Sequence, residues 1–121
     1  MNEHNALLVV MRHSPYGSSL ARTGIDVALA AAAFDQKVNV LFMGDGVLQL
    51  LSNQNSKALG CKNLGKIIAS MPLYDIETLY VESHAIEGFG ISSDLLPEQA
   101  VLLDQSELQD LMHSCKHVIG F

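Results

Sequence analysis

Short aliphatic runs alternate along the chain with segments whose apolar residues recur at helical spacing. The first run, ALLVVM at residues 6–11, has no polar position, which is typical of a strand covered on both faces of a sheet. Further strand-like runs lie at residues 38–43, 78–83, 100–103 and 117–121. Helices are predicted at residues 18–34, 47–51, 64–71 and 106–115, with a helical turn near Ala85. This alternation predicts a parallel or mostly parallel α/β sheet with right-handed crossovers.

Capping and breaking residues set the predicted helix boundaries. Ser18 or Ser19 can cap the first helix, and Ser106 or Asp104 can cap the last. Pro72 is expected to end the helix that precedes the third strand. The first and last helices therefore begin soon after a strand ends, as they do in repeated strand–helix units.

The composition fits one globular domain, which we place over residues 1–121. Hydrophobic residues make up 49% of the chain and charged residues 17%, which suits a packed core and not a disordered segment. A formal net charge of −6, without a basic stripe, argues against direct binding of nucleic acid or membrane. No apolar run reaches the roughly 20 residues needed to cross a bilayer. Glu3 ahead of a short apolar run does not suit a signal peptide, so we expect a cytoplasmic protein.

Loops that follow parallel strands are the candidate sites, because ligands bind such sheets at the carboxyl ends of the strands. The first loop, Pro15-Tyr16-Gly17-Ser18, leads into a helix N-terminus, where phosphates often bind. It lacks the P-loop and GxGxxG patterns, and Pro15 removes one N–H donor. We therefore interpret it as a tight turn in which Gly17 permits a positive φ, with a weak anion site as the alternative.

The Gly44-Asp45-Gly46 turn after the second strand also has two interpretations. The glycines could let a ligand approach while Asp45 binds a hydroxyl group or a metal. Alternatively, Asp45 caps the next helix and the glycines turn the chain. We favour the second interpretation, because one carboxylate without partners does not make a metal site. Neither a metal nor a cofactor is expected.

Histidine and cysteine residues give few signs of catalysis. His13 and His84 both fall near strand ends and could form an acid/base pair, although solvated histidines are the simpler interpretation. Cys61, beside Lys62 and just before a helix start, is either a reactive thiolate or an incidental loop thiol. Cys115 ends an amphipathic helix and is expected to be buried. No catalytic residue is therefore expected, with Cys61 as the alternative.

Two long segments carry a family resemblance: PYGSSLARTGIDVALAAAAFDQKVNVLFMGDGVLQLL at residues 15–51 and PLYDIETLYVES at residues 72–83. The turn at residues 15–17, the motifs FMGDGVLQLL and LYDI, and a final strand ending at Phe121 resemble the DsrE/DsrF-like family. Within that family they are most similar to subunits of the TusC/DsrF type. The resemblance covers nearly the whole chain and implies a three-layer α/β fold, with a five-stranded, mainly parallel sheet and helices on both faces.

The resemblance also implies partners and a setting. Such subunits assemble with TusB/DsrH-type and TusD/DsrE-type subunits into a hexamer with two copies of each. The Tus complex relays persulfide sulfur from a cysteine desulfurase, by way of a TusA-type carrier, towards 2-thiouridine at the tRNA wobble position. The Dsr complex serves sulfur oxidation. In both, the resemblance implies that a cysteine of the TusD/DsrE-type subunit, just after the third strand, carries the persulfide.

The present chain departs from that carrier pattern. Its corresponding stretch is YVESHAIEGFG, with Val81, Glu82 and Ser83 where the carrier cysteine would lie. The resemblance therefore implies a non-catalytic partner subunit, and Glu82 and Ser83 join the turns at residues 15–18 and 44–46 as the candidate edge. The alternatives are a DsrF-type role in sulfur oxidation and an independent sulfurtransferase that uses Cys61. A third is a small-molecule or nucleotide-binding module that uses the loops at residues 14–18 and 44–46.

Two aliphatic segments are candidate contacts with partner subunits. They are VLQLL at residues 47–51 and the pair Leu73 and Tyr74. A domain of this size often leaves an apolar face for another chain to cover, and the high hydrophobic content is in keeping with such an interface.

Overall fold

The computed structural model describes residues 6–14, 19–54 and 64–121. Its strands are β1 (Leu7–Met11), β2 (Val38–Phe42), β3 (Leu79–Glu82), β4 (Ala100–Leu103) and β5 (His117–Gly120). They form one five-stranded sheet in the order β4-β3-β2-β1-β5, and every neighbouring pair is parallel. The helices are α1 (Leu20–Ala33), α2 (Leu64–Ala69), α3 (Ser83–Gly88) and α4 (Gln105–Ser114). The predicted parallel α/β sheet and its five strands are confirmed.

The two central strands explain the long aliphatic runs. Every residue of β1 and of β2 is buried, because each strand has a neighbour on both sides and helices over both faces. Side chains such as Phe42 and Val9 pack with Ile25 of α1 on one face. On the other face, Leu8 packs in a smaller cluster with Leu108 of α4. The sheet is therefore the middle layer of three, as the resemblance implied.

In the described residues, 3₁₀ segments connect these elements at Gly44–Gln54, Met71–Tyr74 and Ser93–Leu95. The first replaces the short helix predicted at residues 47–51 and is longer than expected. The second contains Pro72, so this proline lies within a new segment, while α2 already ends at Ala69. Tertiary packing, which local propensity does not report, sets these boundaries.

The caps of α1 and α4 differ from each other. Ser19 occupies the N-cap position of α1, but its side chain makes no capping hydrogen bond, and Thr23 Oγ1 instead donates to the Ser19 carbonyl at 3.0 Å. Asp104 caps α4 through a complete capping box: Glu107 N donates to Asp104 Oδ1 at 2.8 Å, and Asp104 N donates to Glu107 Oε1 at 2.9 Å. Of the two predicted caps for the last helix, Asp104 is the one used, and Ser106 lies inside the helix.

Two aspartates with positive φ end helical segments at the amino-terminal edge of the sheet. Asp35 (φ 66°) follows α1, and Asp75 (φ 65°) follows the Met71–Tyr74 segment. After α1, the N–H groups of residues 35 and 36 donate to the carbonyls of Ala32 and Ala31, which is the Schellman pattern. The N–H groups of residues 75 and 76 repeat this pattern on Pro72 and Met71. Glycine is the usual residue at such a position, so an aspartate there carries a backbone cost.

Candidate functional site

The turns that leave β2 and β3 are joined at the carboxyl edge of the sheet. The Gly44 N–H donates to Glu82 Oε1 at 3.0 Å. Glu82 is the last residue of β3 and is only 7% exposed, which is unusual for a carboxylate. A hydrogen bond from a backbone N–H to a carboxylate is stronger than one between neutral groups. This bond therefore fixes the position of the turn relative to the end of β3.

The glycines of the Gly44-Asp45-Gly46 turn have separate structural roles. Gly44 adopts φ +54°, a conformation that residues with a Cβ avoid. Gly46 packs so closely on the end of β1 that an added Cβ would overlap the Met11 carbonyl group. Asp45 lies inside the 3₁₀ segment and not before it, so the prediction that it caps this segment is wrong. Its exposed carboxylate makes no hydrogen bond or ion pair with a described residue.

The exit from β1 is held by Gln49, a residue that the sequence analysis did not select. Gln49 is fully buried, and its Nε2 donates to the His13 carbonyl at 2.9 Å. The side chains of His13 and His84 are exposed. Within the described ranges, no hydrogen bond joins these two histidines, so the structure does not assemble the acid/base pair considered above.

The thiol that the structure describes lies far from this edge. Cys115 follows α4 at the amino-terminal side of the sheet, is 9% exposed, and accepts a long contact of 3.9 Å from Asn39 Nδ2. Its predicted burial is confirmed. Cys61 and the turn at residues 15–18 lie outside the described residues. The carboxyl edge, as far as the structure describes it, therefore holds Glu82 and Ser83 but no sulfur nucleophile. In the same residues, no group of three or more His, Cys, Asp or Glu side chains is placed to hold a metal ion.

An apolar cleft of about 330 Å³ opens beside this edge, between α4 and β5. The Arg12 guanidinium lies across Gly120, with its atoms 3.0–3.2 Å from the position of a Cβ on that glycine. Arg12 is the one charged residue among the described residues that line the cleft. Its lining consists of Val10, Arg12, Met43, Met112, Val118 and Gly120.

The protein is a three-layer α/β fold, in which one parallel sheet lies between two layers of helices and a carboxylate is fixed at the end of the third strand. The chain belongs to the DsrE/DsrF-like family, whose model matches residues 5–121. It is 33% identical to a protein named TusC homolog from Vibrio vulnificus, over 95% of this chain and 98% of that protein. It is 32% identical to the intracellular sulfur oxidation protein DsrF of Allochromatium vinosum, over 91% of each chain.

Solved structures support the same fold. The YchN protein from E. coli superposes with a TM-score of 0.82 at 20% identity, over 97% of this chain and 99% of that chain. A conserved protein from Bacteroides thetaiotaomicron gives a TM-score of 0.67 at 15% identity. At these identities the likeness concerns the fold alone. In the part of the chain that the structure describes, no helix is long and apolar enough to cross a membrane.

The structure brings together some of the sequence-predicted residues and corrects others. Gly44, Gly46 and Glu82 meet as expected at the carboxyl edge, with Asp45 exposed beside them. Ser83 begins α3 and does not end β3. Val47, Gln49 and Leu50 of the VLQLL segment are buried within this chain. The prediction that this segment forms a contact surface for a partner is therefore wrong. Its apolar residues Val47 and Leu50 pack in the core instead. Leu73, the other kind of contact residue predicted, is exposed and therefore accessible to a partner.

Proposed function

We propose that this chain is a non-catalytic subunit of a cytoplasmic sulfur-relay complex. In this proposal it assembles with a TusB/DsrH-type and a TusD/DsrE-type subunit into a heterohexamer that hands on persulfide sulfur. The names of the relatives, TusC homolog and DsrF, support a place in sulfur metabolism. The exposed apolar residues of both edge strands, Val101, Leu102, Val118 and Ile119, are in keeping with a chain that other subunits cover.

The observation that carries the proposal is the environment of Glu82. A persulfide relay needs a thiolate that attacks the outer sulfur of a donor and then keeps that sulfur. The family resemblance puts the carrier cysteine just after the third strand, where this chain has a buried carboxylate bonded to the Gly44 N–H. A carboxylate cannot hold a persulfide. The described part of the edge therefore has an ordered backbone but no thiol that could carry sulfur.

Two settings are compatible with this role. The leading one is 2-thiouridine formation at the tRNA wobble position, with sulfur arriving indirectly from a TusA-type carrier. The alternative is sulfur oxidation, which the relative named DsrF favours. Deleting the gene and measuring 2-thiouridine in bulk tRNA by mass spectrometry separates the two. Loss of the modified base, restored by the intact gene, supports the first setting, and unchanged levels contradict it.

Co-expression tests the complex itself. The chain is produced with TusB/DsrH-type and TusD/DsrE-type subunits from the same organism, and the mixture is analysed by size-exclusion chromatography with mass determination. The proposal predicts one stable species that contains equal amounts of all three chains. Separate elution of this chain at concentrations where the other two associate contradicts the proposal.

Persulfide loading tests the absence of a carrier. The purified chain is treated with a small-molecule persulfide donor, and its intact mass is measured beside the Cys61→Ser and Cys115→Ser variants. We expect the TusD/DsrE-type subunit to acquire a transferable sulfur atom under conditions where this chain does not. Uptake that depends on Cys61, followed by transfer at a comparable rate, would instead establish the independent sulfurtransferase.

A further inference from the structure

The amino-terminal edge of the sheet, opposite Glu82, carries exposed apolar and acidic side chains together. Phe34 is 86% exposed and Leu73 is 85% exposed, the largest values among the exposed large hydrophobic residues described. Each adjoins a residue that lines a cavity of about 380 Å³ between the end of α1 and the Met71–Tyr74 segment. We call this surface the amino-edge face. It consists of Phe34, Asp35, Leu73, Tyr74, Asp75 and Glu77.

The cavity is negatively charged. Asp35, Asp75 and Glu77 line it together with a single basic residue, Lys37. Within the described ranges, none of the three carboxylates forms an ion pair, and the pair that the structure does record, Arg22 with Asp26, lies on α1. Their charge is thus available to a group from outside the chain.

Two of these carboxylates lie at positions that do not favour them over glycine, although aspartate adopts a positive φ more readily than most residues. Asp35 and Asp75 occupy positive-φ positions where glycine is favoured. Asp35 also follows the C-terminus of α1, where the helix dipole disfavours an anion. Asp35 thus lowers the stability of the chain both through its backbone conformation and through the dipole of α1, and it lines a cavity. This combination is in keeping with a role in binding.

We propose that the amino-edge face is the docking surface for a partner subunit that inserts an arginine or lysine into the acidic cavity. The proposal rests on the proposed function and goes beyond it by naming the surface and the chemistry of its partner. An arginine or lysine suits the cavity, because its charged head can pair with the carboxylates that line it, while apolar residues of the same partner can cover the exposed Phe34 and Leu73 beside it. The half-exposed ring of Tyr74 can add a cation–π contact. A second copy of this chain is a poor occupant, because two acidic faces repel each other.

The test measures affinity for the co-expressed and separately purified TusB/DsrH-type and TusD/DsrE-type subunits by titration calorimetry. Asp35→Asn with Asp75→Asn, and separately Leu73→Ser, should weaken binding by roughly 10-fold or more. Lys37→Gln should leave binding unchanged or tighten it, since it removes the one positive charge of the cavity. Binding by the unaltered chain should also weaken as salt rises.

Matched controls lie on another surface of the same chain. Asp94→Asn and Leu95→Ser change an exposed carboxylate and an exposed leucine in the Ser93–Leu95 segment. The inference predicts that they bind as the unaltered chain does. Circular dichroism and thermal unfolding confirm that each variant is folded before its affinity is compared.

The outcomes are distinct. Binding by the unaltered chain with no loss in the amino-edge variants overturns this inference and leaves the proposed function in place. Equal losses in the amino-edge and control variants also overturn it, as does a change in self-association caused by the amino-edge variants alone. Failure of the unaltered chain to bind either subunit overturns the proposed function and this inference with it.

Discussion

Glu82 at the end of β3 and Gly44 in the turn after β2 are separated by 38 positions in the chain and joined by a 3.0 Å hydrogen bond. The bond converts two neighbouring strand ends into one ordered edge. Removal of the carboxylate should therefore destabilise the turn as well as the end of β3.

Glu82→Ala is expected to lower the free energy of unfolding by about 1–3 kcal/mol, because it leaves the Gly44 N–H without its acceptor. Glu82→Gln retains an amide oxygen in the same place and should cost about 1 kcal/mol or less. Urea unfolding of the two variants measures the difference. Equal costs would mean that the negative charge of Glu82, and not a hydrogen bond that a neutral amide oxygen can also accept, stabilises this edge.

Gly46→Ala should be the most damaging of three glycine substitutions, with a loss of at least about 3 kcal/mol, because the new methyl group overlaps backbone atoms of Met11. Gly44→Ala should cost about 1 kcal/mol, since it meets only the positive-φ penalty. Gly88→Ala is the control: its site is open and its φ is ordinary. Thermal unfolding should rank the three in this order, and a Gly46→Ala protein as stable as the unaltered chain contradicts the close packing.

Asp35→Asn should stabilise the chain by about 0.3–1 kcal/mol, because it removes a negative charge that follows the C-terminus of α1. The comparison variant is Asp26→Asn, which breaks the exposed ion pair with Arg22 and should destabilise by at most about 0.5 kcal/mol. Chemical denaturation at low and high salt separates the two effects, since salt should reduce both. A loss of stability in Asp35→Asn would show that the carboxylate supports the fold.

Asp104→Ala should cost about 1 kcal/mol, since it removes one half of the capping box of α4. Ser106→Ala, inside the helix, should change stability by less than about 0.5 kcal/mol. The free energy of unfolding of both variants decides which residue is the cap. A larger effect of Ser106→Ala is incompatible with the bonds between Asp104 and Glu107.

Cys115 should be protected from alkylation in the native protein because it is buried beside Asn39. In a Cys61→Ser background, iodoacetamide should modify Cys115 at least roughly 100-fold more slowly in buffer than in denaturant, since reaction requires opening of the structure. Quantification of the modified peptide by mass spectrometry measures the two rates. Similar rates would contradict the burial of the thiol.

Much of the sheet was predictable because its burial leaves a strong local pattern. β1 has five consecutive buried residues, and an uninterrupted aliphatic run is the direct result of that environment. The cap at Asp104 was visible for a similar reason, since Glu107 follows it at the spacing of a capping box.

Contacts between elements that are distant in the chain were harder to predict from the sequence. The bond from Gly44 to Glu82 depends on two strands being neighbours in register, and a single sequence does not reveal that a glutamate is buried. The apolar residues Val47 and Leu50 predict a partner surface, yet both are buried. A sequence pattern does not distinguish an apolar face that packs on the core from one that faces solvent. The positive φ of Asp35 was equally hidden, because nothing in the residues after α1 requires it.

The parallel sheet also fixes how far apart its two ends are held. β2 and β3 begin near the amino-edge face and end at the turn of Gly44 and Glu82. An extended strand of five residues, such as β2, spans about 16 Å. A partner docked at the first end, as proposed above, would lie one strand length from the second end, across a rigid and fully buried strand. In that arrangement the chain would act as a spacer of fixed length between the bound partner and the turn of Gly44 and Glu82.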